Sequence, residues 1–250
     1  MKILVATEKP FAAAAVNGIR NIVTETGHEL ILLEKYTDKK QLLEAVADVD
    51  AIIVRSDKVT KEVIAAAKNL KIVVRAGAGY DNLDLAACSE RGIVAMNTPG
   101  QNSNAVAELV IAMMIYMSRN QFTPGTGMEI QGKKIGIQAY GNVGRLVAQK
   151  AKALGMEVMA FDPFVPADKM IEEGVIPAES LEQMYEQCNF VSLHIPATPQ
   201  TVGSIGYDLM ERMPRGGCLI NTARKEVINE AELDKALESF SSRQRRYGKV

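Results

Sequence analysis

The stretch KKIGIQAYGNVGRLVAQKAKALGMEVMAFDPF, residues 133–164, decides the reading of this 250-residue chain. It passes from a short apolar segment through a small-residue turn into a helix-forming segment, then into a second apolar segment. The turn reads Ala139-x-Gly141-x-x-Gly144, a G-x-G-x-x-G fingerprint whose first glycine is alanine. Gly141 removes the side chain where a pyrophosphate must approach the backbone, and Gly144 lets the helix lie close on the strand. The helix start at Asn142 and Val143 offers free N–H groups and the positive end of a dipole to phosphates. A P-loop is excluded, because Asn142 stands where that motif needs lysine. Asp162 closes the second apolar segment, where a carboxylate can accept hydrogen bonds from an adenosine ribose. No arginine follows it closely to meet a 2′-phosphate, which favours NAD over NADP. Alanine at position 139 costs about 1–2 kcal/mol if that residue is left-handed, and almost nothing if its φ is negative. The alternative is an ordinary βαβ turn with Asp162 capping the next turn.

Outward from this unit, the same alternation covers the chain. Strands are expected at 2–7, 29–36, 51–56, 71–77 and 93–99, then at 133–141, 156–163, 190–196 and 217–224. Helix-length stretches lie between most of them, for example 60–69 and 142–155. Strands apolar on both faces and separated by helices imply right-handed crossovers and parallel sheets. NSNAVAELVIAMMIYMSRNQ, residues 102–121, breaks the rhythm as one long helix, capped by Asn102 or Ser103 and apolar on nearly every face. A Pro/Gly break, FTPGTG, follows it. The expectation is α/β, two doubly wound parallel-sheet domains, split into residues 1–99 and 100–250. The long helix is then a core or interface element, with a dimer as one use.

Composition narrows the function classes. A formal net charge of −1 offers no general basic field for nucleic acid. Cys88, Cys188 and Cys218 lie in apolar segments without CxxC or Cys/His pairing, so reduced, buried thiols are expected, with no disulfide and no metal. The N-terminal segment MKILVATEKP reads as a first core strand rather than a signal peptide. No apolar run approaches the roughly 20 residues of a membrane span. The chain reads as soluble and cytoplasmic.

Open α/β sheets bind ligands beyond the carboxyl ends of their strands. His194, Pro196 and Thr198 stand where one strand of the second sheet stops, and are expected to wall a cofactor. His194, one of two histidines, is also a candidate catalyst, although its strand lies on the cofactor side. His28 begins a strand in the first domain and carries no signal.

Several motifs in fixed order, VRAGAGYDNLDLAACSERGIVAMNTPGQNSNAVAELV, AYGNVGR, FDPF, VSLHIPATPQT and INTARKEVINEAEL, resemble the D-isomer-specific 2-hydroxyacid dehydrogenase family. The likeness covers about residues 1–238 and is nearest to members that oxidise D-3-phosphoglycerate. It implies a flavodoxin-like substrate domain followed by a Rossmann NAD domain, with substrate held between them and dimerisation through helix 102–121. The implied reaction is oxidation of D-3-phosphoglycerate to 3-phosphohydroxypyruvate, a step of serine biosynthesis. Reduction of another 2-keto acid, such as glyoxylate or hydroxypyruvate, and a catalytically impaired NAD-binding protein are the alternatives.

The resemblance also assigns residues. Backbone N–H groups around Ala76 and Gly77 would hold the substrate carboxylate, and Arg55, Ser56 and Asn102 would line the same site. Arg55 and Arg75 would take the phosphate, because guanidinium geometry suits it. Thr222, Ala223 and Arg224 would contact nicotinamide and substrate, with Arg224 as the cation that orients the C2 oxygen and carboxylate. The family's histidine base and its glutamate partner lie beyond that arginine, and no residue here matches them. Lys225 replaces a glycine common in the family, and the segment before GKKIG is shorter than usual. The resemblance further implies an NAD domain truncated after about residue 238, a first domain without its return helix, and a solvated polar tail, SSRQRRYGKV. An open parallel edge would then need a partner.

Overall fold

The computed structural model describes residues 1–235 and 237; the tail expected from residue 241 lies outside them. The chain divides into two compact units, Met1–Asn102 and a second beginning at Ser103.

The first unit runs β1 (Lys2–Thr7), α1 (Ala13–Glu25), β2 (Glu29–Glu34), α2 (Lys39–Ala45), β3 (Ala51–Val54), α3 (Lys61–Ala66), β4 (Ile72–Arg75), α4 (Leu85–Glu90) and β5 (Val94–Asn97). Its five strands are all parallel, in the order β2-β1-β3-β4-β5. That is the flavodoxin-like order, which reverses direction between β1 and β3. The central strands are buried on both faces because helices cover both: Leu4, Ile52, Val54 and Val73 have no exposed surface. α2 starts with a capping box, in which Asp38 accepts from the helix backbone while Gln41 accepts from the Asp38 backbone N–H.

The second unit runs α5 (Ser103–Ser118), β6 (Lys134–Gln138), α6 (Asn142–Ala153), β7 (Glu157–Phe161), α7 (Ala167–Glu172), β8 (Ile176–Pro177), α8 (Leu181–Gln187), β9 (Phe190–Leu193), α9 (Tyr207–Met210) and β10 (Cys218–Asn221). Its strands are parallel in the order β10-β9-β6-β7-β8. Counted from β6, this is 3-2-1-4-5, the Rossmann arrangement, with the reversal between β6 and β9. Ile135, Ile137, Val191 and Leu193 are fully buried, and each contributes on the order of 1.5–3 kcal/mol by leaving water. Gln138 pairs with Phe161 on one side and Leu193 on the other. The carboxyl ends of β6, β7 and β9 therefore stand side by side at the reversal.

α5 packs on α6 and β10 through Ala107, Val110 and Met114. Its other face exposes Leu109, Met113, Tyr116 and Met117. The helix is thus apolar on two faces, of which the unit covers one. Every strand expected from the sequence is present, but most end one to three residues earlier than the apolar pattern does. β8 was not anticipated; two residues give no period to read. No helix among the described residues is long and apolar enough to cross a membrane.

Candidate active site

The turn between β6 and α6 is where the fingerprint lies. Ala139 has φ +76°, so this position does adopt the left-handed conformation glycine would take freely, and alanine bears about 1–2 kcal/mol of strain. Gly144 has no choice of side chain: a Cβ there would strike the Ala139 carbonyl oxygen and the Ile137 Cγ2. Gly141 is different. It has an ordinary φ of −87° as the N-cap of α6, and a Cβ would meet no atom of the described residues within 4 Å. The protein itself does not require glycine at 141, whereas a phosphate approaching the free N–H groups of Asn142 and Val143 would.

Asp162, just past β7, accepts from Tyr140 N–H through Oδ2 at 2.8 Å and from Phe164 N–H through Oδ1 at 2.9 Å. It therefore caps its own turn, as the alternative reading held, and also ties that turn to the fingerprint. A carboxylate oxygen has lone pairs beyond those two bonds, so both roles can coexist with a ribose.

His194 follows β9, with its N–H on the Gln138 carbonyl at 2.9 Å and its Nε2 3.0 Å from Ser192 Oγ. Burial pushes its pKa down to about 4, so the ring is neutral near pH 7. Pro196 and Thr198 form the next turn, in which Thr201 Oγ1 donates to the Pro196 carbonyl and Thr198 N–H donates to Thr201 Oγ1 at 2.8 Å.

Beyond β10, Asn221 shapes the loop that carries Thr222, Ala223 and Arg224. Its Oδ1 accepts from Ala223 N–H and its Nδ2 donates to the Arg224 carbonyl, both at 2.9 Å. Thr222 Oγ1 is buried without a hydrogen-bond partner among the described residues, a position that a bound polar group would satisfy. Arg224 is exposed, and its Nη1 donates to the Ala223 carbonyl at 3.2 Å. Lys225 has no positive φ, which is why a side chain is tolerated where glycine was expected. Asn221 was missed in the sequence, although asparagine closing a strand before a turn is a recognisable Asx signal.

In the first unit, Arg55 and Ser56 are exposed beyond β3, and Arg75 ends the neighbouring strand with its Nε on the Arg55 carbonyl at 2.9 Å. The Arg75 guanidinium lies against Gly77, where a Cβ would collide with it. The amides of Ala76 and Gly77 are already used: Ala76 N–H donates to the Val54 carbonyl and Gly77 N–H to the Arg75 carbonyl, each at 2.8 Å. The two that follow, Ala78 and Gly79, donate to no group among the described residues. Carbonyls of the same loop are pinned, Gly77 by Thr98 N–H at 2.9 Å and Ala78 by Asn97 Nδ2 at 2.7 Å. Of the amides in this loop, those of Ala78 and Gly79 are therefore the ones left available to a ligand, next to the pair Ala76 and Gly77 singled out in the sequence. Asn102, at the end of the unit, is exposed.

A Rossmann-ordered sheet with a glycine turn at its reversal and an acid closing the next strand defines the second unit as a dinucleotide-binding domain. Residues 104–244 match the family model described as D-isomer specific 2-hydroxyacid dehydrogenase, NAD binding domain. The chain belongs to the D-isomer specific 2-hydroxyacid dehydrogenase family, and its second unit is the NAD-binding part.

Among curated relatives, it is 34% identical to a D-3-phosphoglycerate dehydrogenase of Methanocaldococcus jannaschii over 88% of this chain and 47% of that protein. It is 36% identical to a hydroxypyruvate reductase of Thermotoga maritima over 82% of this chain and 70% of that protein. The solved NAD+-bound 3-phosphoglycerate dehydrogenase of Entamoeba histolytica superposes with a TM-score of 0.89 at 46% identity, covering 96% of this chain and 77% of that one. The chain spans about half the length of the first curated relatives it matches, at 47% and 46%.

Proposed function

We propose that this chain is the dehydrogenase portion of an NAD-dependent enzyme that oxidises D-3-phosphoglycerate to 3-phosphohydroxypyruvate. The observation that carries the cofactor half of this reading is Gly141, glycine without any need of its own at the helix start that would face a pyrophosphate. Asp162 would hold the adenosine ribose, and the walls would come from His194, Pro196 and Thr198. NAD, when bound, supplies the acceptor for the hydride that leaves C2 of the substrate.

The chain's own residues bind and orient. The amides of Ala78 and Gly79 would hold the substrate carboxylate, beside Ser56 and Asn102. Arg55, just past β3, and Arg75, at the end of the paired strand β4, would bind the phosphate, a dianion that a guanidinium engages in two parallel bonds. Arg224 would orient the C2 oxygen and stabilise its charge as the bond order rises. The hydroxyl proton needs a base. His194, pushed to about pKa 4, is too weak a base for that task near pH 7, and we assign it to the cofactor wall.

A second reading is reduction of hydroxypyruvate, favoured by the Thermotoga maritima relative; it uses the same residues in reverse but needs no phosphate site. Calorimetric titration in the presence of NADH separates the two. Saturable binding of D-3-phosphoglycerate, tighter than D-glycerate, supports the phosphorylated substrate. Equal affinity for both would remove the role given to Arg55 and Arg75.

The proposed assembly is a homodimer through α5. Leu109, Met113, Tyr116 and Met117 recur at helical spacing on its exposed face, and an apolar stripe of that form calls for a covering surface.

A further inference from the structure

Ala139 keeps its left-handed conformation in a turn whose side chains are tied to one distant residue. Tyr140, 1% exposed, donates its hydroxyl to Glu173 Oε2 at 2.7 Å. Arg145, in the first turns of α6, pairs with Glu173 Oε1, and its guanidinium carbon lies 4.8 Å from the centre of the Tyr140 ring. Glu173 is the C-cap of α7, and its carbonyl accepts from Lys152 Nζ near the end of α6. One residue thus gathers both flanks of the fingerprint from a helix that contributes nothing to the phosphate cradle.

We propose that Glu173 is a positioning residue for the dinucleotide: it clamps Tyr140 and Arg145, and so keeps Ala139 left-handed and the α6 amides aimed at the pyrophosphate. This rests on the reading of that turn as the NAD site. The ion pair is the lesser part of the clamp. Its two side chains are 35% and 41% exposed, and pairs that wet contribute little. The Tyr140 hydroxyl matters more, since it is buried and would be left without its acceptor if Glu173 were truncated. Asp162 holds the backbone of the same residue, so Tyr140 is fixed at both ends.

The clamp is needed because of the alanine. A residue with a Cβ resists positive φ, and the turn relaxes towards negative φ unless something holds it. Glycine occupies either side readily, so with Ala139→Gly the turn would keep its shape unaided. The two positions should therefore be coupled in cofactor affinity, which a general structural role for Glu173 would not produce.

The test is NADH binding followed by fluorescence, with Glu173→Ala and Tyr140→Phe made in the parent chain and again in an Ala139→Gly background. In the parent, each should raise the NADH Kd by about five- to thirtyfold, the factor that matches relief of one Cβ strain. In the Ala139→Gly background the same changes should alter Kd by less than about twofold. An unchanged Kd in the folded parent variants overturns the proposal, as does a loss of affinity of equal size in both backgrounds. No saturable binding by the parent itself would overturn the NAD reading and this inference together, whereas parent binding with uncoupled variants overturns this inference alone. Tyr140→Phe, which keeps the buried ring, serves if Glu173→Ala fails to fold.

Discussion

Asp162 and Tyr140 are joined backbone to side chain: the Tyr140 N–H donates to Asp162 Oδ2 at 2.8 Å, across the gap between the first two strands of the second sheet. The carboxylate that would read the ribose is thereby fixed by the turn that would hold the pyrophosphate. Asp162→Asn keeps one acceptor oxygen and replaces the other with a donor, so one of two backbone N–H groups loses its partner. NADH affinity should fall by about tenfold, in line with loss of one or two charge-assisted bonds. Discrimination against NADPH should fall with it, because the negative charge that repels a 2′-phosphate has gone. A variant with parental affinity for both nucleotides would contradict this.

Gly144 is a packing requirement before it is a binding one. In Gly144→Val the new side chain meets the Ala139 carbonyl and Ile137, and α6 must back away from β6. Overpacking of this kind costs about 1–3 kcal/mol, which corresponds to several degrees in Tm for a chain of this size. Thermal unfolding by circular dichroism reads the shift, and an unchanged Tm would show that the helix does not rest on this contact.

His194 gives the second unit a definite acid response. Burial lowers its pKa from 6.5 to about 4 in the fold, so between those values the unfolded chain binds a proton that the native chain refuses. Its contribution is complete above about pH 6.5 and is lost as the pH falls towards 4, to a total of about 3 kcal/mol. Denaturant unfolding at pH 7.5, 6 and 5 should show this decline in the parent and a shallower one in His194→Gln. Parallel pH dependences would mean that the imidazole is not shielded.

The exposed face of α5 predicts self-association. Met113, at its centre, is exposed to water, as are Leu109, Tyr116 and Met117 around it. Met113→Glu would place an unpaired charge in the proposed interface, at a penalty of several kcal/mol if fully desolvated. Sedimentation velocity should find dimers of the parent at micromolar concentration and monomers of the variant. A monomeric parent would remove the dimer proposal.

Much of the fold was legible because buried parallel strands announce themselves as apolar runs, and both sheets assemble in the orders that βαβ crossovers favour. Strand ends were overread where apolar residues continue past the ladder. Ile195 stays buried after β9 has ended at Leu193, packed in the core rather than paired. β8 escaped because its pairing is only Met159 with Ile176 and Ala160 with Pro177. At the site, residue types were readable but conformation was not. Nothing in the sequence says whether Ala139 lies at positive φ, and that sign decides whether the turn needs support. Which amides of the loop after β4 are available to a ligand was hidden for a similar reason. In RAGAGYDN each small residue offers an amide, and only the backbone bonding reveals that Ala76 and Gly77 have spent theirs, while Ala78 and Gly79 donate to no group among the described residues. Glu173 gave no signal at all, since its partners lie 33 and 28 residues away.

The most direct test of NAD binding at this turn is a fluorescence titration of the unmodified chain with NADH and, separately, NADPH. Saturable binding of NADH is expected, with NADPH weaker by at least about tenfold, the factor set by about 1.4 kcal/mol of repulsion at Asp162. No saturable NADH signal, or NADPH binding as tightly as NADH, would contradict it.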